Sequence, residues 1–344
     1  MEFNFVYFDP GSSYYNIARY DIERLPNCII RSRDLPAGGK LKKVLFQLHT
    51  SLTLNKRIVL PLQSLWNRSY IGDLNFPDNS KPICFVFTGG FMGLLSYQMK
   101  TVKYLRKTYP GCKLVLLIRD LLKVTKHVNQ YFDLDEAKRT YDEIYTINTN
   151  EAEKYGLKAI HSYCSYYPVE TSPQDKKSDV VFIGVVKDRL DTIKRAYEKF
   201  TKAGLVCDFL LVSRQPIEGE FLPEGLVIQQ AGIPYLEMLK RTVNSSCVLE
   251  ITQKDADGLT SRCLEALCYN KKLISDNFRL KDTKYYDSDY MYLYQDIDEV
   301  PVDFIKKQID VDYHYDGEFS PIRTLEIFER DLLQKEKEGE DYDR

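Results

Sequence analysis

The sequence predicts an α/β protein of two doubly wound domains facing each other across a cleft. Two observations carry this reading. Short apolar runs alternate with helix-length amphipathic segments along nearly the whole chain. The alternation pauses at residues 165–178, a polar stretch with two prolines, and then restarts. The short runs are apolar on both faces, as strands are when helices cover both sides of a parallel sheet. Two arrays of similar size point to two Rossmann-like units. A length of 344 residues suits two domains.

In the first array, assigned to residues 1–165, strands are expected at 3–8, 57–62, 83–88, 113–118 and 143–147. Each is rich in β-branched or aromatic residues. Helices are expected over 40–52 and over 91–108, the latter stopped by Pro110-Gly111. Residues 165–178 read as a linker. The second array, 179–320, opens with the strand Asp179-Val-Val-Phe-Ile-Gly184. Further strands are expected at 207–213, 226–230, 246–251, 272–275 and 291–294. Helices at 189–203, 234–243, 259–269 and 296–308 fall between them. Pro321 opens a last helix, 321–336, expected to pack back on the first domain.

Composition narrows the function. The net charge of −2 gives no reason to expect a nucleic-acid partner. None of the eight cysteines forms a C-x-x-C pair, and most lie in apolar runs, which suits reduced thiols in a cytoplasmic protein. The Met-Glu-Phe-Asn start has no signal-peptide pattern, and no apolar run approaches a membrane span. His49, His127, His161 and His314 show no metal-ligand spacing, so no metal is expected.

The most informative stretch is 257–277. The strand 246–251 runs into the turn Lys254-Asp-Ala-Asp257-Gly258, and a helix follows with Thr260 and Ser261 in its first turn. Backbone amides and a cation, Arg262, at a helix start suit a diphosphate, and Glu265 further along suits ribose hydroxyls. A plainer reading makes Asp257 an N-cap and Arg262–Glu265 a surface ion pair. The place of the segment, at a strand's carboxyl end in an α/β sheet, favours the ligand. Gly184, Lys187 and Arg189 form a second turn of this kind, after the first strand of the domain. It is not G-x-G-x-x-G, which counts against a dinucleotide. In the first domain, Thr88-Gly89-Gly90 and Asp120 follow buried-type strands and are expected to line the cleft. His49 lies inside a helix and reads as a satisfied polar residue.

Asp257-x7-Glu265 resembles the E-x7-E element of GT-B glycosyltransferases, with Asp in place of the first Glu. The stretch from Ser246 to Asn277, the segment Asp179–Arg189 and the run Tyr141-Asp-Glu-Ile-Tyr145 resemble bacterial capsular, exopolysaccharide and lipopolysaccharide biosynthesis enzymes of that superfamily. The likeness covers about 140–300. It implies a second domain that binds a nucleotide-sugar without a metal or other cofactor. Glu265 would hold the ribose. Gly258, Leu259 and Thr260 would present amides to the diphosphate, with Lys187, Arg189 and Arg262 as phosphate cations. Tyr235 lies where a residue could stack on the base. Asp257 is one methylene shorter than the usual acid. A general base for the acceptor is sought at Asp120 or Asp257, with Thr88, Gly89 and Gly90 in the acceptor cleft. The implied acceptor is a glycan or lipid-linked glycan, reached by peripheral contact with the inner membrane face. The basic face Lys100, Lys103, Arg106 and Lys107 could serve that contact. The rival readings are a catalytically silent nucleotide-sugar-binding subunit and a two-domain NAD-type oxidoreductase.

Overall fold

The computed structural model describes residues 1–9, 11–32, 39–51, 54, 62–88, 100–128, 132–213, 222–254 and 258–342. The chain divides into two compact units. The first comprises Met1–Asn16, Asp21–Ile160 and Pro321–Arg344, and the second Ile17–Tyr20 and His161–Ser320.

The first unit holds β1 (Asn4–Asp9), β2 (Cys28–Ser32), β3 (Ile83–Thr88), β4 (Lys113–Ile118), β5 (Glu143–Thr146) and β6 (Lys158–Ala159) in the order β2-β1-β3-β4-β5-β6. All pairs are parallel. All six residues of β1 are buried, because helices cover both faces of a parallel sheet. The expected strand at 57–62 falls on residues outside the described ones, apart from Leu62. The same holds for the first part of the expected 91–108 helix, whose described part is Thr101–Thr108. Two edge strands, β2 and β6, are too short to show a period in the sequence.

The Pro321–Tyr342 helix belongs to this unit and continues beyond 336. Its Phe328 ring lies 4.5 Å from that of Tyr145, and the Tyr145 hydroxyl donates to Asp331 Oδ2 at 2.9 Å. Lys158 Nζ reaches both Asp331 (3.1 Å) and Glu143 (3.2 Å).

The second unit holds β7 (Ser178–Val185), β8 (Cys207–Val212), β9 (Val227–Gln229), β10 (Ser245–Glu250), β11 (Lys272–Ser275) and β12 (Met291–Leu293). Its parallel order is β12-β11-β10-β7-β8-β9. The chain starts at the centre, winds out through β8 and β9, returns to β10 on the other side of β7 and winds out again. That is the doubly wound dinucleotide-fold order, with its reversal between β7 and β10. Two apolar layers flank the sheet. Val180, Phe182, Leu249 and Ile274 face one and Val181, Ile183, Val248 and Leu273 the other, the alternation a strand imposes.

Two expected helices change. The 296–308 helix is broken into a 3-10 turn, Ile297–Glu299, and a short helix, Val302–Lys306. Pro301 lies between them; it lacks an N–H and holds Val300 in an extended conformation (ψ 117°). The helix expected from 259 starts at Ser261. Among the described residues no helix is long and apolar enough to cross a membrane.

Candidate functional site

The carboxyl ends of β7 and β10 adjoin at the topological switch point of the second unit, where open α/β sheets bind ligands. Three sequence-predicted cations and one predicted acid gather on these strand ends and on the Ser261–Cys268 helix.

Arg189 follows β7 through a tight turn in which Lys187 takes a left-handed conformation (φ 48°). Arg189 is 5% exposed. Nη1 donates to Ile251 O just past β10, at 2.6 Å, and Nη2 donates to Val185 O. Arg189 thus ties the two strand ends together. Among the described residues its buried Nε has no partner. Burial first, then the neighbouring Arg262 charge, pushes its pKa down to about 10. Lys187 itself reaches Gln253 Oε1 at 2.6 Å.

Arg262 lies in the first turn of the helix and turns back over the sheet. Nε and Nη2 both donate to Ile183 O, the former at 2.9 Å, and the guanidinium lies 5.2 Å from the Phe182 ring centre. Gly184 makes room for it. A methyl group there would press into Arg262 Nη2, lie 3.3 Å from its Cζ and lie 3.6 Å from Arg189 Nη2. The need is for space, not for a left-handed backbone. The surface ion pair Arg262–Glu265 does not form.

Thr260 is the N-cap of the helix, a role Asp257 could have held; its hydroxyl accepts from Arg262 N at 3.2 Å and donates to Glu250 Oε1. Glu250 ends β10 with 0% exposure. Ser275 Oγ donates to its other oxygen. Burial pushes the Glu250 carboxyl pKa up, opposed by the Ser275 and Thr260 hydrogen bonds and by Arg262. Ser275 in turn accepts from Asn277 N (2.9 Å), and Asn277 Nδ2 donates to Gly258 O (3.1 Å). This chain of bonds fixes the turn at Gly258. Leu259 is 4% exposed and anchors it in the core.

Glu265, 5% exposed, accepts from the Tyr235 hydroxyl at 2.6 Å. Burial raises its pKa to about 7, against the opposing effects of Tyr235 and Arg262. Tyr235 is itself 4% exposed. It steers the acid here, a different contact from the base stacking expected of it. Ser261, Arg262 and Glu265 line a pocket completed by Val181, Ile183, Met238, Thr242 and Val248.

In the first unit, Thr88 is fully buried and its hydroxyl donates to Phe8 O at 2.9 Å, a bond between strands. Asp120 is exposed just after β4. Gly89, Gly90 and Asp257 lie outside the described residues. Arg106 pairs with Asp142 (2.8 Å) and bonds Cys112 O, so it is not part of a free basic face. Sequence reasoning missed Glu250. Its signal was a lone acid directly after the apolar run Cys247-Val248-Leu249. Among the described residues no group of three or more His, Cys, Asp or Glu side chains could hold a metal.

The architecture, two α/β units each with a six-stranded parallel sheet, is that of the GT-B fold. The sequence matches no family model and no curated protein. Among solved structures, an α-glucosyltransferase in complex with UDP and a 13-mer DNA with a central A:G mismatch aligns at TM-score 0.52 and 13% identity, over 88% of this chain and 89% of its own. The glycosyltransferase SnogD from Streptomyces nogalater aligns at 0.33 and 12%, over 79% and 81%. A UGT transferase from Siraitia grosvenorii, in complex with UDP, aligns at 0.32 and 12%, over 80% and 81%. The first of these likenesses, at 13% identity, shows the fold alone.

Proposed function

We propose that the chain is a glycosyltransferase that moves a sugar from a nucleoside diphosphate to a hydroxyl of a glycan or lipid-linked glycan, in capsule or lipopolysaccharide biosynthesis at the cytoplasmic face. One observation carries the reading. Arg189 and Arg262 flank Gly184 at the switch point, and among the described residues their hydrogen-bond partners are neutral carbonyls alone. The two cations repel each other and neither is hydrogen-bonded to a carboxylate among those residues, while Asp188 and Asp276 attract Arg189 and Glu250 and Glu265 attract Arg262 through space alone. A diphosphate at this switch point would meet both guanidinium groups directly. An α-glucosyltransferase of the same fold holds UDP, which supports a UDP-sugar as donor.

In this reading the ionised Glu265 accepts the ribose hydroxyls. Gly258, Leu259 and Thr260 present the turn to the phosphates, and Lys187 adds charge at its rim. The amide end of the Ser261–Cys268 helix and Arg262 take up the charge that develops on the departing diphosphate, so no metal or cofactor is required for that role. The acceptor hydroxyl needs a general base. We assign this to Asp120, with Asp257 as the alternative.

The test is a thermal-shift series with UDP, GDP and other nucleoside diphosphates. A ligand at a hundred times its Kd adds about 2.7 kcal/mol to stability. No shift with any of them would remove the donor-site reading. A shift without sugar release from UDP-sugars, in the presence of glycan or lipid-linked acceptors, would make the chain a binding subunit instead.

A further inference from the structure

The Lys40–Thr50 helix of the first unit carries apolar side chains on two sides. Phe46, 2% exposed, is its anchor, packed edge-on against Trp66 at 5.2 Å. Trp66 Nε1 also donates to His49 Nδ1 at 2.7 Å. On another side of the helix, Leu41, Val44, Leu45 and Leu48 are 74%, 50%, 43% and 45% exposed. Their spacing of three, four and seven residues draws an apolar stripe about 100° wide that points away from the core. Leu62 and Leu65, on the segment that enters Trp66, add two further exposed side chains, at 66% and 69%. A stripe of this kind usually faces the protein interior. Here it faces outward.

Charge decides what it fits. Lys40 borders one edge of the stripe and Lys42 the other, with Lys43 beyond. From 35 to 72 the chain carries Lys40, Lys42, Lys43, Lys56, Arg57 and Arg68 and not one Asp or Glu. The chain as a whole has 50 acids in 344 residues, so an acid-free run of this length is a marked local departure. An apolar stripe edged by lysines suits an interface in which leucines enter acyl chains while ammonium groups stay among anionic headgroups.

We propose that this helix, with Leu62 and Leu65, docks the protein on an anionic lipid surface. The inference deepens the proposed transfer to a lipid-linked acceptor and rests on that reading for its purpose. It also assigns the membrane contact to the Lys40–Thr50 helix with Leu62 and Leu65, in place of the 100–107 face.

The test is flotation of the full chain with phosphatidylcholine vesicles, with and without about one-third phosphatidylglycerol. The protein should float with the anionic vesicles and at least tenfold less with the neutral ones. Leu41→Asp with Leu48→Asp should leave it in the soluble fraction. Lys40→Gln with Lys43→Gln should weaken binding roughly thirtyfold, about fivefold for each lysine. All four positions are exposed, so melting and any UDP shift should not change. No flotation, equal flotation with both vesicles, or undiminished binding by the leucine variant would overturn the proposal. So would a dimer in gel filtration that Leu41→Asp dissolves, which would make a second copy the occupant. The assay contains no donor or acceptor. A failed flotation beside a positive UDP shift therefore overturns this inference alone, and the converse removes only the donor reading.

Discussion

Glu265→Gln separates what the site contributes to stability from what it contributes to binding. The folded protein raises the Glu265 pKa from 4.5 to about 7, chiefly by burial. The folded state therefore holds this proton more tightly than the unfolded chain does. Protonation stabilises the fold fully below about 4.5. That contribution falls as pH rises toward about 7 and is gone above it. Each tenfold difference in proton affinity is worth about 1.4 kcal/mol, so the interval amounts to about 3 kcal/mol. Gln resembles the protonated acid and still accepts from the Tyr235 hydroxyl. The variant should match the wild type near pH 4.5 and exceed it by about 3 kcal/mol at pH 8. Urea unfolding followed by circular dichroism reads this. The lone Trp66 belongs to the first unit, so its fluorescence serves as an internal control that should not move. Binding should change the other way. Gln lacks the charge that draws ribose hydroxyls, and UDP affinity at pH 8 should drop about tenfold, a charge-assisted hydrogen bond's worth. A stability difference that does not vary with pH would refute the burial account. Unchanged UDP affinity would refute the ribose assignment.

Gly184→Ala should push Arg262 off Ile183 O, cost roughly 1–3 kcal/mol in denaturation and weaken UDP at least about tenfold by calorimetry; wild-type UDP affinity would show that Arg262 does not meet the phosphates. Lys272→Met tests a purely structural contact. Lys272 Nζ donates to Phe304 O, Ile305 O and Lys307 O at 2.8, 2.6 and 2.8 Å, closing the end of the Val302–Lys306 helix. Its loss leaves three carbonyls without their cation and should cost roughly 2–3 kcal/mol in urea unfolding while UDP binding stays the same.

The inner strands of the second unit were legible in the sequence because they are short, largely buried runs bounded by polar turns, whereas the edge strand β9 is exposed at Val227 and Gln229. Gly184, Arg189, Arg262 and Glu265 were legible as chemistry, since they follow strands whose ends a doubly wound sheet brings together. Their contacts were not. Arg262 and Glu265 are three apart on a helix, which suggests a pair, yet Arg262 crosses to Ile183 O and Glu265 turns to Tyr235, thirty residues earlier in the chain. Local spacing reports which side chains share a helix face; it is silent on what the sheet places opposite them. The same blindness hid Thr88, whose hydroxyl is spent on a neighbouring strand. It also hid the break at 296–308, although Pro301 was in view.

Several unfavourable features meet at this switch point, and others of the same kinds lie elsewhere, among them the left-handed Leu62, Lys100, Asn270 and His314. Glu250 and Glu265 are both buried, each with a raised pKa. Arg189 is buried with an Nε lacking a partner among the described residues. Lys187 takes a left-handed conformation that side chains disfavour. Each feature costs stability. Glu250, Glu265, Arg189 and Lys187 fall on the ends of β7 and β10 or on the helix between β10 and β11. A turn that served only to connect strands could be built from Gly, Asn and Ser at no such cost. The strand end β8 shows the alternative: Val212 leads into Ser213, whose N–H simply bonds Gln229 O. On the proposed donor reading, the phosphates would bond the Arg189 and Arg262 guanidinium groups, which the fold leaves on neutral carbonyls.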